Sequence, residues 1–126
     1  MNKENEKKKQ NLLITGVSGL IGRLYFFHLL KNKSNEYFIF GLDQHQSISS
    51  RYQFECKNEN IKQPESIPID HFIQCDITNR NELFEIIKNY QIDIIIHLAA
   101  LLETEPNIEK ILHVNIEGTR NILEAR

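Results

Sequence analysis

The sequence predicts an α/β fold, a parallel sheet of about four strands flanked by helices. Three observations carry that reading. Short apolar runs alternate along the chain with segments of helical period. The runs are continuously apolar rather than alternating, as in strands covered on both faces. A glycine turn, Thr15-Gly16-Val17-Ser18-Gly19-Leu20-Ile21-Gly22, joins the first run to the first helical segment.

Each element follows from its residues. Leu12 to Thr15 reads as a short buried strand, and beyond Leu20 the residues Leu24, Phe27, His28, Leu29 and Leu30 recur at roughly helical spacing until Lys31-Asn32-Lys33-Ser34-Asn35 breaks the pattern. Tyr37-Phe38-Ile39-Phe40-Gly41-Leu42-Asp43 is a second strand, rich in aromatic and β-branched residues. Residues 44 to 68 are rich in Gln, Asn, Ser and Lys, contain Pro64 and Pro68, and read as a long connection without regular structure. Ile69 to Cys75 is a third strand, ending at Asp76. Leu83, Ile86, Ile87 and Tyr90 then mark an amphipathic helix that Thr78 or Asn79 would cap. Ile92 to Leu98 is the fourth strand, and from Asn107 the residues Ile108, Ile111, Leu112, Asn115, Thr119, Ile122 and Leu123 predict a last helix with one apolar face. Such alternation implies right-handed crossovers between parallel strands.

Composition narrows the function classes. The chain of 126 residues fits one domain, spanning 12–126 behind a polar tail at 1–11 that is expected to be disordered. Fifteen Lys and Arg against 17 Asp and Glu leave a formal charge of -2 and no basic stripe, which argues against nucleic acid as a partner. The charged tail is no secretory signal and no stretch is long enough to span a bilayer, so a cytoplasmic protein without membrane contact is expected. Cys56 and Cys75 are too few for a disulfide framework, and the five His lack ligand spacing, so no metal is expected.

The glycine turn carries the chemistry. Gly16 would allow the tight bend after the strand, Gly19 would let backbone N–H groups approach a pyrophosphate, and Gly22 would let the helix sit close to the sheet. The alternative is a loop that is merely Gly-rich, but the strand before it and the helix after it supply the context a phosphate cradle requires. Asp43 ends the second strand 21 residues past Gly22, close to the offset of about 20 residues at which an acidic group accepts the ribose hydroxyls of a dinucleotide. Such a carboxylate would repel a 2′-phosphate, favouring NAD over NADP, unless Arg23 reached that phosphate. A solvated Asp at a strand end is the other reading. His97, isolated in an apolar run, reads as a satisfied structural group, and Glu103 and Glu105 read as solvated loop carboxylates rather than an acid/base pair.

Five segments together carry a resemblance: TGVSGLIG, Leu42-Asp43, Cys75-Asp76-Ile77, His97-Leu98-Ala99-Ala100, and VNIEGTRNILEAR at 114 to 126. In this order they resemble the extended short-chain dehydrogenase/reductase family, the NAD-dependent epimerase/dehydratase family. The resemblance implies a Rossmann-type fold, here incomplete. It implies that Leu20 and Ile21 offer N–H groups to the pyrophosphate, that Asp76 and Ile77 flank the adenine, and that Leu98, Ala99 and Ala100 line the middle of the cofactor. Plain core packing is the alternative for the apolar members. Asn115 matches the helix Asn that supports the proton relay in this family, or else ties down neighbouring backbone.

The same resemblance implies a catalytic Tyr with a Lys four residues later, together with a Ser or Thr. Here Tyr25 is followed at that distance by Leu29, Tyr37 by Gly41, Tyr52 by Cys56 and Tyr90 by Ile94, so no catalytic residue is assigned. The chain reads as the cofactor-binding portion of an epimerase, dehydratase or dehydrogenase acting on a sugar, sugar nucleotide or uronate, with the substrate domain expected beyond it. The short stretch from Leu101 to His113 looks nearer to uronate-dehydrogenase-like members. A non-catalytic NAD-binding module or an inactive fragment is the alternative. The fourth strand, interior in relatives, would present Ile94-Ile95-Ile96 on an open apolar edge, which predicts dimerisation or aggregation there.

Overall fold

The computed structural model describes residues 7–47, 66–102 and 105–125. Strand β1 (Gln10–Thr15) leads through helix α1 (Leu20–Asn32) to β2 (Tyr37–Asp43). A 3₁₀ turn (Ile69–His71) precedes β3 (Phe72–Gln74), followed by α2 (Arg80–Asn89) and β4 (Ile94–His97). The last helix runs as α3 (Ile108–Leu112), a π-helical turn (His113–Gly118) and α4 (Thr119–Glu124). The sheet has the order β3-β2-β1-β4, and its pairings are all parallel. This is the four-strand α/β sheet expected, with the chain reversing direction across the sheet between β1 and β4.

Alternate residues of β1 feed two cores. Leu12 and Ile14 pack with Val17, Phe26, Leu29 and Ile39 under α1. Leu13 packs on the opposite face with Leu42, Ile73, Leu83, Ile87 and Ile122 under α2 and α4. A strand covered on both faces needs apolar residues at successive positions, which is why these runs do not alternate.

Several expectations are corrected. β1 opens at Gln10, so the polar tail gives way to strand two residues early; the Asn11 side chain donates to the carbonyls of Tyr90 and Gln91 at 3.0 and 3.1 Å, which anchors it. The buried face of α1 is Gly22, Arg23, Phe26 and Leu29, while Leu24 is 55% exposed. Residues 69–71 coil into the 3₁₀ turn because Pro68 sets the entry and its carbonyl accepts the His71 N–H at 2.9 Å, which shortens β3. β4 starts at Ile94 because Ile92 still belongs to the end of α2. Its N–H donates to Ile87 O and that of Gln91 to Lys88 O, both at 3.1 Å, with Gln91 at φ +50°. This pair of bonds is a Schellman cap. Asn79 caps α2 by accepting the Glu82 N–H at 3.3 Å and donating to the Glu82 carboxylate at 3.0 Å.

The long connection is tied at its ends. Ser47 and Ser66 form an antiparallel bridge, the Ile67 N–H donates to Gln46 O at 3.2 Å, and Ile67 is fully buried. The residues between them lie outside the described ones, as do Cys56, Tyr52 and Glu103.

Candidate dinucleotide cleft

The carboxyl ends of the four strands converge on a cleft of about 340 Å³. One wall is the glycine turn. Gly16 sits at φ +72°, and a Cβ there would lie 2.7 Å from Ala99 N and 2.8 Å from its Cα, so both conformation and space require glycine. A Cβ on Gly22 would lie 2.0 Å from Gly16 O, so Gly22 lets α1 fold back against the turn itself. Gly19 caps α1 with extended backbone and no side-chain hydrogen bond, and the first turn holds no acidic residue. The first N–H groups of a helix have no partner within it and carry the positive end of its dipole, so Leu20 and Ile21 present donors suited to a phosphate.

Asp43 closes the second side. Its carboxylate accepts the Ser18 N–H at 3.1 Å and the Gln44 N–H at 2.7 Å, tying the end of β2 to the glycine turn. The Ser18 hydroxyl donates to His45 O, adding a second tie. Cys75 and Ile77 form the floor; burial, with Glu82 and Asp76 nearby, pushes the Cys75 thiol up to about 12, so it serves as apolar packing.

The third side comes from the end of β4. Leu98, Ala99, Ala100 and Leu101 line the cleft. Asn115, in the π-helical turn, accepts the Leu101 N–H at 2.8 Å and donates to Leu101 O at 2.9 Å, a side-chain copy of a backbone pairing. Of its two sequence readings, this contact is the backbone tie. His97 accepts or donates between Thr15 Oγ1, 2.6 Å from Nδ1, and Thr119 Oγ1, 3.0 Å from Nε2, and burial lowers its pKa.

The geometry thus brings Gly16, Gly19, Asp43, Ile77, Leu98, Ala99 and Ala100 to one cleft. Leu20 and Ile21 are not among its lining residues; they follow Gly19 at the start of α1, with the Ile21 side chain 63% exposed. Gly22 and Asn115 support the walls from behind. Asp76 faces a neighbouring hollow with Gln74 and Glu82, and its carboxylate accepts the Thr78 N–H at 2.9 Å and the Thr78 hydroxyl at 2.7 Å. Arg23 is buried at 2% exposure rather than poised at the turn.

Sequence reasoning missed Leu42, Gln44, His45, Cys75, Leu101, Lys110 and Val114 as lining residues. Gln44 and His45 follow Asp43 directly and could have been read as the continuation of the strand end. Lys110, 3.7 Å from the Glu105 carboxylate, reaches the cleft through the placement of α3, for which no motif speaks. The expected apolar stripe of the last helix holds only in part: Ile122 is buried and Ile111, Asn115 and Thr119 are half-buried, but Ile108 is 70%, Leu112 51% and Leu123 59% exposed, while Gly118 and Asn121 take buried places. A π-turn inserts a residue into the helical repeat and rotates the faces before and after it out of register.

Among the described residues no group of His, Cys, Asp and Glu could hold a metal ion, and no helix is long and apolar enough to cross a membrane. The chain is 31% identical over 120 residues to a UDP-N-acetyl-alpha-D-glucosaminuronate decarboxylase of Bacillus cytotoxicus, covering 93% of this chain and 33% of that protein. It is 29% identical over 120 residues to a dTDP-glucose 4,6-dehydratase of Neisseria gonorrhoeae, covering 93% and 32%. The solved L-threonine dehydrogenase of Clostridium difficile superposes with a TM-score of 0.64 at 30% identity, over 94% of this chain and 33% of that one. The enzyme WbmG of Bordetella bronchiseptica, solved in complex with NAD, shares the fold with a TM-score of 0.69 at 17% identity, over 97% and 35%. The chain therefore spans about a third of the length of these relatives. The model of the family described as NAD dependent epimerase/dehydratase matches residues 12–126, the stretch that holds the glycine turn, Asp43 and the end of β4, and the chain belongs to that family.

Proposed function

We propose that the cleft binds NAD, and that the chain is the cofactor-binding portion of an epimerase, dehydratase or dehydrogenase acting on a sugar, sugar nucleotide or uronate. The observation that carries the reading is the cradle: a Gly16 turn with no room for a Cβ, an α1 terminus free of side-chain caps, and a carboxylate at the end of β2. The N–H groups of Leu20 and Ile21 hold the pyrophosphate, and Asp43 accepts the adenosine ribose hydroxyls. Ile77 borders the adenine, with Asp76 in the adjoining hollow, and Leu98, Ala99 and Ala100 exclude water from the middle of the cleft. Bound NAD supplies a hydride acceptor. No Tyr among these residues has a Lys four positions later, so the reading assigns binding and orientation here and no catalytic residue.

The choice of NAD over NADP rests on charge. Asp43 would face a 2′-phosphate, and Arg23, the cation nearest in sequence, lies buried. Isothermal titration with each dinucleotide tests the proposal, since the chain has no Trp to report fluorescence. Saturable binding of NAD, at least about tenfold tighter than NADP, is expected for a charge repulsion worth about 1.4 kcal/mol. No heat from NAD at millimolar concentration refutes it, and equal affinities refute the role of Asp43.

A further inference from the structure

The Thr15 hydroxyl has one proton and two lone pairs to place. The N–H groups of Leu98 and Ala99 approach its oxygen at 3.1 and 3.2 Å, the Leu98 N–H being shared with Thr15 O at 3.3 Å. Thr15 is fully buried, so water does not compete. With both lone pairs taken, its proton has one remaining destination within reach, His97 Nδ1 at 2.6 Å. That nitrogen must therefore be bare, and the imidazole carries its proton on Nε2, where it donates to Thr119 Oγ1 at 3.0 Å. The tautomer is dictated from three sides.

We propose that His97 is a positioning residue for the cleft wall: as a neutral imidazole protonated on Nε2, it orients the Thr15 hydroxyl so that its oxygen holds the N–H groups of Leu98 and Ala99. The wall so held is the one Gly16 touches, for Ala99 N is the atom nearest to a Cβ built there. A proton on Nδ1 would point at the Thr15 hydroxyl, which would have to turn its oxygen to His97 and release one of the two N–H groups. Imidazolium formation therefore costs the wall one of its hydrogen bonds to Thr15 Oγ1; the Leu98 N–H would keep Thr15 O at 3.3 Å, whereas Ala99 would lose its hold. Thr15 faces His97 from β1 and Thr119 from α4, both uncharged. In the groove along β4 the titratable neighbour is Asp93, at the far end of the strand with its carboxylate on the Asn11 N–H at 2.8 Å. That the wall belongs to a dinucleotide site rests on the function proposed above.

The test uses the 126-residue chain labelled with ¹⁵N, with His97 assigned by comparison with His97→Gln. Long-range ¹H–¹⁵N correlation spectra should show His97 as the Nε2–H tautomer at pH 8. As acid finally protonates it, the amide signals of Leu98 and Ala99 should move on the same titration curve. An Nδ1–H tautomer, or titration of His97 with those two amides unmoved, overturns the proposal. Thr15→Val should weaken NAD binding about tenfold, the scale of one hydrogen bond lost, and Thr15→Ser should restore it. Thr15→Val binding as tightly as the parent also overturns it. Should the parent bind no NAD, the dinucleotide reading falls, and the tautomer and amide signals decide this inference by themselves.

Discussion

Replacing Gly22 and Gly19 in turn by alanine separates the two jobs of the glycine turn. At Gly22 the new Cβ would lie 2.0 Å from Gly16 O and 2.7 Å from Gly16 C, well inside the 3.0 Å that real Cβ atoms respect. Both obstacles are backbone, and Gly16 is itself pinned by its N–H to Leu42 O at 2.9 Å. Overpacking of this kind costs about 3 kcal/mol, the upper part of its usual range. Alanine within a helix returns about 1 kcal/mol over glycine, so the net loss is about 2 kcal/mol. For a domain of this size that lowers the melting temperature by roughly 8 °C. At Gly19 the one atom among the described residues that a Cβ would meet is Gly16 O at 3.3 Å, a contact that yields with a few tenths of an ångström. Gly19→Ala should therefore melt within about 3 °C of the parent, the weaker N-cap included, yet place a methyl group in the path of the phosphate and lose NAD by at least about tenfold. Calorimetric melting and NAD titration of both variants decide the matter. If Gly22→Ala melted with the parent, or if Gly19→Ala bound NAD unchanged, the two glycines would not divide the work of packing and ligand contact.

Asp43→Asn should weaken NAD binding by about tenfold or more, the scale of a lost hydrogen bond to a charged group, and narrow the gap to NADP, as parallel titrations would show. Gln91→Gly should stabilise the fold by about 0.5–1 kcal/mol, because Gln91 closes the Schellman cap at φ +50° where glycine carries no Cβ penalty; a lower melting temperature would contradict this. Burial lowers the pKa of His97, so the unfolded chain binds a proton there that the folded chain refuses. That contribution to stability is present above the ordinary histidine value near 6.5, is lost as pH falls through and below it, and should flatten in His97→Gln when melting is followed against pH. The groove along β4 is lined by Ile94, Ile95, Ile122 and the 59% exposed Leu123, and we expect chains to associate through it. Sedimentation should show concentration-dependent association that Leu123→Lys reduces; a parent chain that stays monomeric at high concentration would exclude the edge as an interface.

The parts of the fold legible in the sequence are those in which one residue type answers one physical demand. Gly16 could be read because a left-handed bend pressed against Ala99 admits nothing else, and β1 and β2 because strands covered on both faces carry consecutive apolar residues, Leu12 to Ile14 and Tyr37 to Phe40. What escaped depends on contacts distant in sequence. The buried face of α1 is chosen by Leu12, Ile14 and Ile39 beneath it, and Arg23 lies on that face against any hydropathy rule. The π-turn at His113–Gly118 adds a residue to a pattern that reads as an unbroken helix, moving Ile108 and Leu112 outward.

The walls of the cleft are positioned largely by contacts to backbone, and this explains both what the sequence disclosed and what it withheld. Glycines clear the space, Asn115 copies a backbone pairing for Leu101, and Thr15 collects two N–H groups from the end of β4. A surface of N–H groups and small side chains suits a long, flat, charged ligand that must be held at many points, and it carries few of the groups that abstract protons or form covalent bonds. Several of the titratable groups in or behind it are already engaged: Asp43 by two N–H groups, Lys110 by the Glu105 carboxylate, Cys75 by burial and, behind the wall, His97 by two hydroxyls. Substitution of any of these changes wall geometry before it changes chemistry, so affinity and stability must be measured together. A loss of binding at constant melting temperature, as expected of Gly19→Ala and not of Gly22→Ala, is the signature of ligand contact.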